Sequence, residues 1–280
     1  MRKTLFLAAA PALLAALTLL NVPASRAQDG AKPKAEAPKA QAGKVDEKAE
    51  AIVKRAVEVL GGGAYLDVRS AVSQGYFTQF REGQAGIPMS FRDYMVYPDR
   101  ERTEFKGAGL RTVQVNTGEA GWLFEAKTKK LSDVTPEQAA DFRTTMRTSV
   151  DNLLRGWWRA EGAGLTYVGR REAGLARRNE VVRLSYPDGF EAEFEFDARE
   201  GLPAKVVYKR PDAEGETVEE EDRYAQFQQL GGVRVPFIID HYRAGVQSSR
   251  VNYEKVGFNL PVPETLFAKP DDIKKVKMSQ

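Results

Sequence analysis

The stretch FEAEFEFD, residues 190–197, decides the fold, because apolar and acidic side chains alternate along its whole length. The apolar positions are Phe190, Ala192, Phe194 and Phe196, and an acid follows each of them. A period of two predicts a β-strand with one buried face and one face in water. The stretch VRVPFIID, residues 233–240, alternates in a similar way. Strands of this kind are typical of antiparallel sheets.

On either side of these stretches the sequence predicts more short strands and two helical regions. Strands are expected over residues 70–116 and again up to about residue 253, with Gly and Pro between them. Helical spacing of apolar residues predicts one helix over 45–60 and another over 136–159, with a break near Thr148. Parallel strands would need regularly alternating helices, which the second half lacks. We therefore expect a mainly β fold with some α structure: one strongly curved antiparallel sheet whose concave face is covered by helices.

The first 27 residues have the pattern of a cleavable secretory signal. Arg2 and Lys3 precede an apolar run over residues 5–20, and small residues at Ser25 and Ala27 fit cleavage before Gln28. An uncleaved anchor is the alternative, but the run is shorter than the roughly 20 residues that span a bilayer. Residues 28–44, rich in Ala, Lys and Pro, predict a disordered linker. The folded domain is then expected over 45–280, in an exported, periplasmic protein.

Composition excludes several classes of function. The chain has no cysteine, which excludes disulfides, thiol catalysis, thiolate metal sites and a lipid-modified cysteine. Of its 42 basic residues, three lie in the predicted signal, so the remainder equals the 39 acidic residues. A formally neutral mature chain gives no reason to expect nucleic-acid binding.

Catalytic and metal-binding patterns are weak. The single histidine, His241, comes directly after Asp240 in a predicted strand, so the side chains of these two residues point to opposite faces. We expect His241 to be solvent-facing or packed within the sheet, and we predict no metal site and no cofactor. The acidic run 219–222 lacks calcium-loop spacing and is interpreted as a solvated charge run. Glu193 and Glu195 are candidates for a carboxylate hydrolase by adjacency alone, on the outer face of a strand.

Aromatic and apolar side chains form the strongest candidate site. Where a curved sheet meets helices, such residues either fill a core or line a cavity for an acyl chain. The predicted ligand-binding residues of this kind are Phe91, Met95, Trp122, Phe124, Trp157, Trp158, Phe194 and Phe237. The helical region 136–159, with its long apolar stripe, is the predicted lid.

Several segments resemble the LolA-like (LolA/LolB-type) family of outer-membrane lipoprotein carriers over roughly residues 45–275. An amphipathic helix follows the signal, YPDRERTEF (97–105) resembles a Pro-turn-Arg-aromatic motif, and NTGEAGWLFE (116–125) resembles a Gly-Trp-aromatic hairpin. ETLFAKPDD (264–272) resembles the closing Phe-x-x-Pro segment. The chain departs from the family in its greater length and in lacking a recognisable exposed leucine loop.

The resemblance implies an unclosed β-barrel of about eleven strands with helices at its mouth, which carries lipid or lipoprotein acyl chains. It also implies a polar ligand contact for Arg102 and a cavity-lining position for Trp122. A non-enzymatic carrier with a lipid or acylated lipoprotein as partner is therefore the leading hypothesis. A periplasmic sensor or accessory domain that acts through an envelope protein partner is a second, and a carboxylate-based hydrolase is a third.

Overall fold

The computed structural model describes residues 43–118, 120–212 and 215–279. The predicted signal, and the linker up to residue 42, lie outside the described residues. Gly43 and Lys44, the last two residues of the predicted linker, already belong to the folded part. The carbonyl of Lys44 accepts a hydrogen bond of 2.9 Å from the backbone of Leu165.

One antiparallel sheet of fourteen strands dominates the described chain. The strands are β1 (Ser70–Arg81), β2 (Gln84–Ala85), β3 (Met89–Val96), β4 (Arg100–Gly107), β5 (Leu110–Thr117), β6 (Ala120–Glu125), β7 (Lys130–Asp133), β8 (Gly164–Glu172), β9 (Arg178–Ser185), β10 (Glu191–Asp197), β11 (Pro203–Pro211), β12 (Thr217–Leu230), β13 (Val233–Arg243) and β14 (Val246–Phe258). Their order is β7-β6-β5-β4-β3-β1-β14-β13-β12-β11-β10-β9-β8, with β2 paired to β1. Because β7 and β8 end the series unpaired with each other, the sheet does not close. The expected fold class is confirmed, although the strands outnumber the eleven that the resemblance implied.

Strand β1 pairs with β14, which is far away in the sequence, and this pairing joins the two halves of the sheet. We call it the β1–β14 seam, and a β-bulge bends the strand there. The register shifts between Gln74 and Gly75, a β-bulge of the kind that bends a strand and increases its twist. A Cβ atom on Gly75 would lie 1.9 Å from the carbonyl oxygen of Asn252. Only glycine therefore allows the two strands to approach this closely.

Helices cover one face of the sheet, which we call the inner face. They are α1 (Glu47–Leu60), α2 (Gly63–Leu66), α3 (Pro136–Thr148) and α4 (Val150–Arg155), followed by a 3-10 helix at Trp157–Glu161. The predicted helix over 136–159 breaks at Ser149, close to the expected position. Ser149 has an extended backbone (ψ 141°), and its hydroxyl accepts from the amide of Asn152, which caps α4. The break separates α3 from α4 at this residue.

The main core lies between α1 and the strands of the second half. Ala49 and Ala56 of α1 are fully buried, and their small side chains let the helix approach the sheet closely. Leu165, Leu184 and Phe194 meet them from the sheet in the same cluster. No helix among the described residues is long and apolar enough to cross a membrane.

Candidate ligand-binding cavity

A cavity of about 170 Å³ lies between α2, α4 and the inner face of the sheet. Its walls are mainly apolar, and the apolar side chains include Leu60, Val68, Met95, Met146, Val150, Phe227, Val235, Ile239, Val256 and Phe258. They come from both halves of the sheet, because the β1–β14 seam brings β3 next to β12–β14. The cavity is thus a product of the tertiary fold rather than of one segment.

A polar cluster around Asp151 ties α4 to its surroundings, and we call it the latch. The Asp151 carboxylate accepts hydrogen bonds from the hydroxyls of Tyr65 (2.7 Å) and Tyr97 (3.2 Å) and from Arg155 Nε (2.7 Å). Arg155 also donates to backbone carbonyls, including that of Val68 at 3.0 Å. Burial, together with the Asp151 charge, raises the pKa values of both tyrosines well above their usual range. The latch holds the short helix α4 against α2 and the turn after β3.

Two carboxyl groups, which we call the acidic pair, lie at the β3–β4 side of the cavity. Asp93 lines the cavity, and Glu101 stands opposite Met95 on the neighbouring strand, so the two acids are diagonal neighbours on the inner face. Asp93 accepts from the Thr103 hydroxyl at 2.7 Å, and Glu101 accepts from the Asn116 amide at 3.3 Å. Their exposed fractions are only 5% and 2%.

The pKa values of both acids in the acidic pair are raised strongly. Burial raises the pKa of Asp93 to about 7, despite the hydrogen bond from Thr103. Burial and then the charge on Asp93 raise the pKa of Glu101 well above its usual range. Desolvation disfavours the charged carboxylates, and no cation of the described chain lowers the pKa of either acid. The pair therefore tends to hold protons near neutral pH.

Polar atoms beside the acidic pair lack hydrogen-bond partners within the part of the chain that the structure describes. They include Glu101 Oε1, the hydroxyl of Thr112 and both amide atoms of Gln114. Gln114 is only 3% exposed and pairs with Thr103, so it lies on the same inner face as the acidic pair. Buried polar groups without partners cost free energy, and they are often satisfied by water or a ligand.

Comparison with known proteins gives matches by structure only. No family model matches the chain, and no curated protein matches its sequence. The LolA superfamily protein NE2245 from Nitrosomonas europaea aligns with a TM-score of 0.54 and 14% identity, over 79% of this chain and 97% of that one. A DUF1329 family protein from Desulfovibrio piger aligns with a TM-score of 0.55 and 11% identity, over the same shares. A Pseudomonas aeruginosa MucA/MucB complex aligns at a TM-score of 0.27, too low to establish a shared fold.

The chain has a LolA-like fold. At these identities the likeness concerns the fold alone. It agrees with the resemblance of the segments over 97–105, 116–125 and 264–272, which the structure places in a turn with β4, in the β5–β6 hairpin and in the C-terminal segment.

Several of the predicted ligand-binding residues lie at or near the cavity of this LolA-like sheet. Met95 lines it. Phe91 and Phe237 pack beside it, each with its ring against Tyr253, at centroid distances of 5.7 and 6.5 Å. Trp157 does not line the cavity itself, but its ring is 5.6 Å from that of Tyr97, which does. These four residues remain candidates for contact with a ligand.

Trp158 and Phe194 instead belong to the filled core under α1 and α4. Trp158 is 2% exposed, and its indole Nε1 donates to the carbonyl of Leu153 at 3.1 Å. Phe194 is 1% exposed. The sequence left open whether these residues fill a core or line a cavity, and Trp158 and Phe194 fill a core.

Three predicted residues, Arg102, Trp122 and Phe124, lie on the outer face, contrary to the prediction that they contact a ligand in the cavity. Arg102 and Trp122 both pair with Val115, whereas the inner-facing Thr103 pairs with Gln114. Neighbouring residues of a strand point to opposite faces, so Arg102 and Trp122 face outward. The C-terminal segment, residues 260–279, covers them: Trp122 Nε1 donates to the carbonyl of Phe267 at 2.9 Å. Phe124 packs in the same cluster. Arg102 docks this segment through hydrogen bonds to its carbonyls, and Trp122 and Phe124 dock it through apolar contacts.

His241 is packed within the sheet, which is one of the two outcomes expected for it. The prediction that the acidic run 219–222 is solvated is wrong for two of its four residues. His241, Glu220 and Asp222 are each at most 1% exposed on the inner face. His241 Nδ1 lies 2.7 Å from Asp222 Oδ1, and Nε2 lies 3.4 Å from Glu220 Oε2. Although desolvation alone would lower it, these carboxylates raise the pKa of His241 to about 9. Strand alternation turns Glu220 and Asp222 inward and leaves Glu219 and Glu221 in the outer row.

The acidic pair was missed by sequence reasoning, although a signal was present. Asp93 stands between Phe91 and Met95 in the alternation of β3, so period two assigns it to the apolar face. An acid at such a position is expensive unless it is paired or functional. Nothing comparable distinguishes Gln114 or Glu101, whose inward direction depends on which face the helices cover.

Proposed function

We propose that this chain is an exported, non-enzymatic binding protein that holds an apolar ligand, a lipid or a lipoprotein acyl chain, for transport or sorting across the periplasm. The observation that carries the proposal is an apolar cavity between the helices and the inner face of a LolA-like sheet. The charged and apolar pattern of residues 1–27 supports export.

The cavity size indicates how a ligand enters. A volume of about 170 Å³ is close to that of a cavity that admits benzene, and smaller than the roughly 300–1,000 Å³ of ordinary ligand sites. A chain of about 16 methylenes would gain roughly 13 kcal/mol gross from burial, before ordering costs. The side of α4 that borders the cavity is held by the latch, so we propose that this gain drives the opening of the latch. We therefore propose that α4 moves outward when a ligand is loaded. The lid would then be α4 alone, and not the whole region 136–159 that the sequence predicted.

The environments of Glu193 and Glu195 favour binding over hydrolysis. Both lie on the outer face, away from the cavity between the helices and the sheet. Arg171 contacts both carboxylates at 2.7 Å, and Arg183 holds Glu193 as well. Carboxylates held in this way act as structural ion pairs.

The test is native mass spectrometry with lipid extraction, applied to protein purified from a periplasm without detergent. We expect a stoichiometric lipid or acylated peptide on the unmodified chain. Val256→Trp fills the cavity and should abolish the bound mass, whereas Val246→Trp, at an exposed position of the same strand, should leave it unchanged. Circular dichroism checks that both variants fold.

A clean apo mass across several preparations would contradict the proposal. It would favour the second hypothesis, an accessory domain that acts through an envelope protein. Equal lipid loads on both tryptophan variants would show that the lipid binds elsewhere.

A further inference from the structure

The acidic pair differs from the other buried acids of this protein in lacking a cation. Among the described residues, each of the others lies within salt-bridge distance of Arg, Lys or His: Glu104, Glu195, Asp197, Glu220 and Asp222. The groups that act on Asp93 and Glu101 are the Thr103 hydroxyl, the backbone N–H of Tyr94, the Asn116 amide and, for Glu101, the charge on Asp93. An uncompensated buried carboxylate costs several kcal/mol, so its retention in a cavity wall calls for an explanation.

The surroundings of the pair also point to a missing partner. Glu101 Oε1 and Gln114 Oε1, both acceptors, are buried without any hydrogen-bond donor in the described chain. Asp93 lines the cavity directly, next to Met95 on the same face of β3. A donor group at this end of the cavity would therefore meet several oxygens at once, while the rest of its molecule would meet apolar walls.

The other charged and titratable groups that line the cavity are Asp151, Arg155, Arg234, Tyr65, Tyr97, Tyr224 and Tyr253. The side-chain hydrogen bonds of the acidic pair come from Thr103 and Asn116 instead, and neither arginine acts on the pKa of either acid. Arg155 lines the opposite, helical side, and Asp151 and three backbone carbonyls already accept its hydrogen bonds. Tyr253, on β14, is a phenol whose pKa is raised by burial and by the charges of Asp93 and Glu101. A cation from outside the protein would fit this end of the cavity better than any group already there.

We propose that the ligand carries an ammonium group, which the acidic pair binds, and an apolar body, which the cavity walls bind. This inference rests on the proposed binding function and specifies the chemistry of its ligand. Binding of the ammonium group displaces protons that the empty acidic pair tends to hold, the ionised carboxylates of Asp93 and Glu101 compensate its charge, and Gln114 Oε1 is a further acceptor. An anionic head group would oppose this ionisation, and no cation of the described chain acts on either acid to compensate it. The site therefore selects a cationic amphiphile over a neutral or anionic one with the same chain.

The test uses three probes with one chain length: octylammonium, 1-octanol and octanoate, titrated into the mature protein by calorimetry at pH 7. We expect octylammonium to bind at least about tenfold more tightly than octanol, since close charge pairs in buried sites couple by more than 1.4 kcal/mol. Octanoate should bind least tightly. This ranking is measured on the unmodified protein and does not depend on the folding of any variant.

Two double variants locate the effect. Asp93→Asn with Glu101→Gln should remove the preference for octylammonium over octanol. The matched control, Glu191→Gln with Asp240→Asn, removes two acids from the outer face and should keep the preference, which excludes an effect of net charge.

Failure of this inference differs from failure of the proposed function. If the three probes bind with equal affinity, the cavity binds apolar chains and the ammonium inference is wrong. If none of them binds, both are wrong. A preference that survives in the Asp93→Asn, Glu101→Gln variant would also overturn the inference.

Discussion

Replacement of Arg102 by methionine should destabilise the protein strongly, although sequence reasoning placed this residue in a ligand site. Arg102 and Glu104 form a salt bridge of 2.8 Å, with side chains only 4% and 3% exposed. The Arg102 guanidinium also donates to the carbonyls of Leu266 (2.9 Å) and Lys277 (2.6 Å), which fastens the C-terminal segment to the outer face. Removing one partner of a buried pair costs about 3–5 kcal/mol, because the other charge stays buried. We expect a loss near the upper end, since two carbonyls also lose donors.

Equilibrium urea unfolding followed by circular dichroism measures this loss. Arg170→Met is the matched control: Arg170 also pairs with a glutamate at 2.7 Å, but it is 58% exposed, so solvent screens the pair and its loss should change the free energy of unfolding far less. Replacing Arg102 and Glu104 together by Met and Leu should recover much of the stability, because no buried charge is left alone. Limited proteolysis should cut the Arg102→Met variant first within residues 260–279. The reasoning fails if Arg102→Met and Arg170→Met destabilise the protein equally.

Three further outcomes follow from the interior. Because the pKa of Asp93 rises from 3.8 unfolded to about 7 folded, the free energy of unfolding should fall between about pH 4 and 7, by at most about 4 kcal/mol; Asp93→Asn should flatten that part of the profile, and an unchanged slope would contradict the assignment. His241, with a pKa raised from 6.5 to about 9, adds stability that is fully present below pH 6.5 and lost by about pH 9; denaturation of His241→Phe should show no such decline. Gly75→Ala should cost roughly 1–3 kcal/mol by calorimetric melting, because its Cβ would meet the Asn252 carbonyl, and a wild-type melting temperature would show that the seam can yield.

Sequence patterns predicted the strands and helices well, because each depends on local periodicity. The alternation over 190–197 appears as β10, and the expected helix break lies at Ser149. The number of strands was less accessible: short elements such as β2, of two residues, carry no periodic signal. The pairing of β1 with β14 includes the bulge at Gly75. A single glycine in a strand indicates a bulge or a close approach, but it does not show which strand lies next to it.

The candidate site was harder to predict, and β5 shows the physical reason. Its inner row is polar, with Thr112, Gln114 and Asn116, while its outer row has the valines 113 and 115. The rule that apolar residues face the interior therefore assigns this strand the wrong way round. The outer row is apolar because residues 260–279, far away in sequence, return to cover it. No local pattern contains that information, so Trp122 was assigned to the cavity and Gln114 was not recognised as part of the site.

The two halves of the inner face suggest how a ligand could be held and released without unfolding the domain. Under α1, fully buried alanines allow close contact with the sheet, and the fourteen-residue helix is part of the filled core. Under α4 the sheet presents the acidic pair and the cavity, and the covering helix has only six residues. On its cavity side, one carboxylate, Asp151, accepts hydrogen bonds from two tyrosines and Arg155. On its other side, the buried Leu153 and Leu154 belong to the core that α1 also fills. A perturbation of Asp151 would therefore loosen several hydrogen bonds together on the cavity side of α4, next to the acidic pair, and leave the core contacts in place.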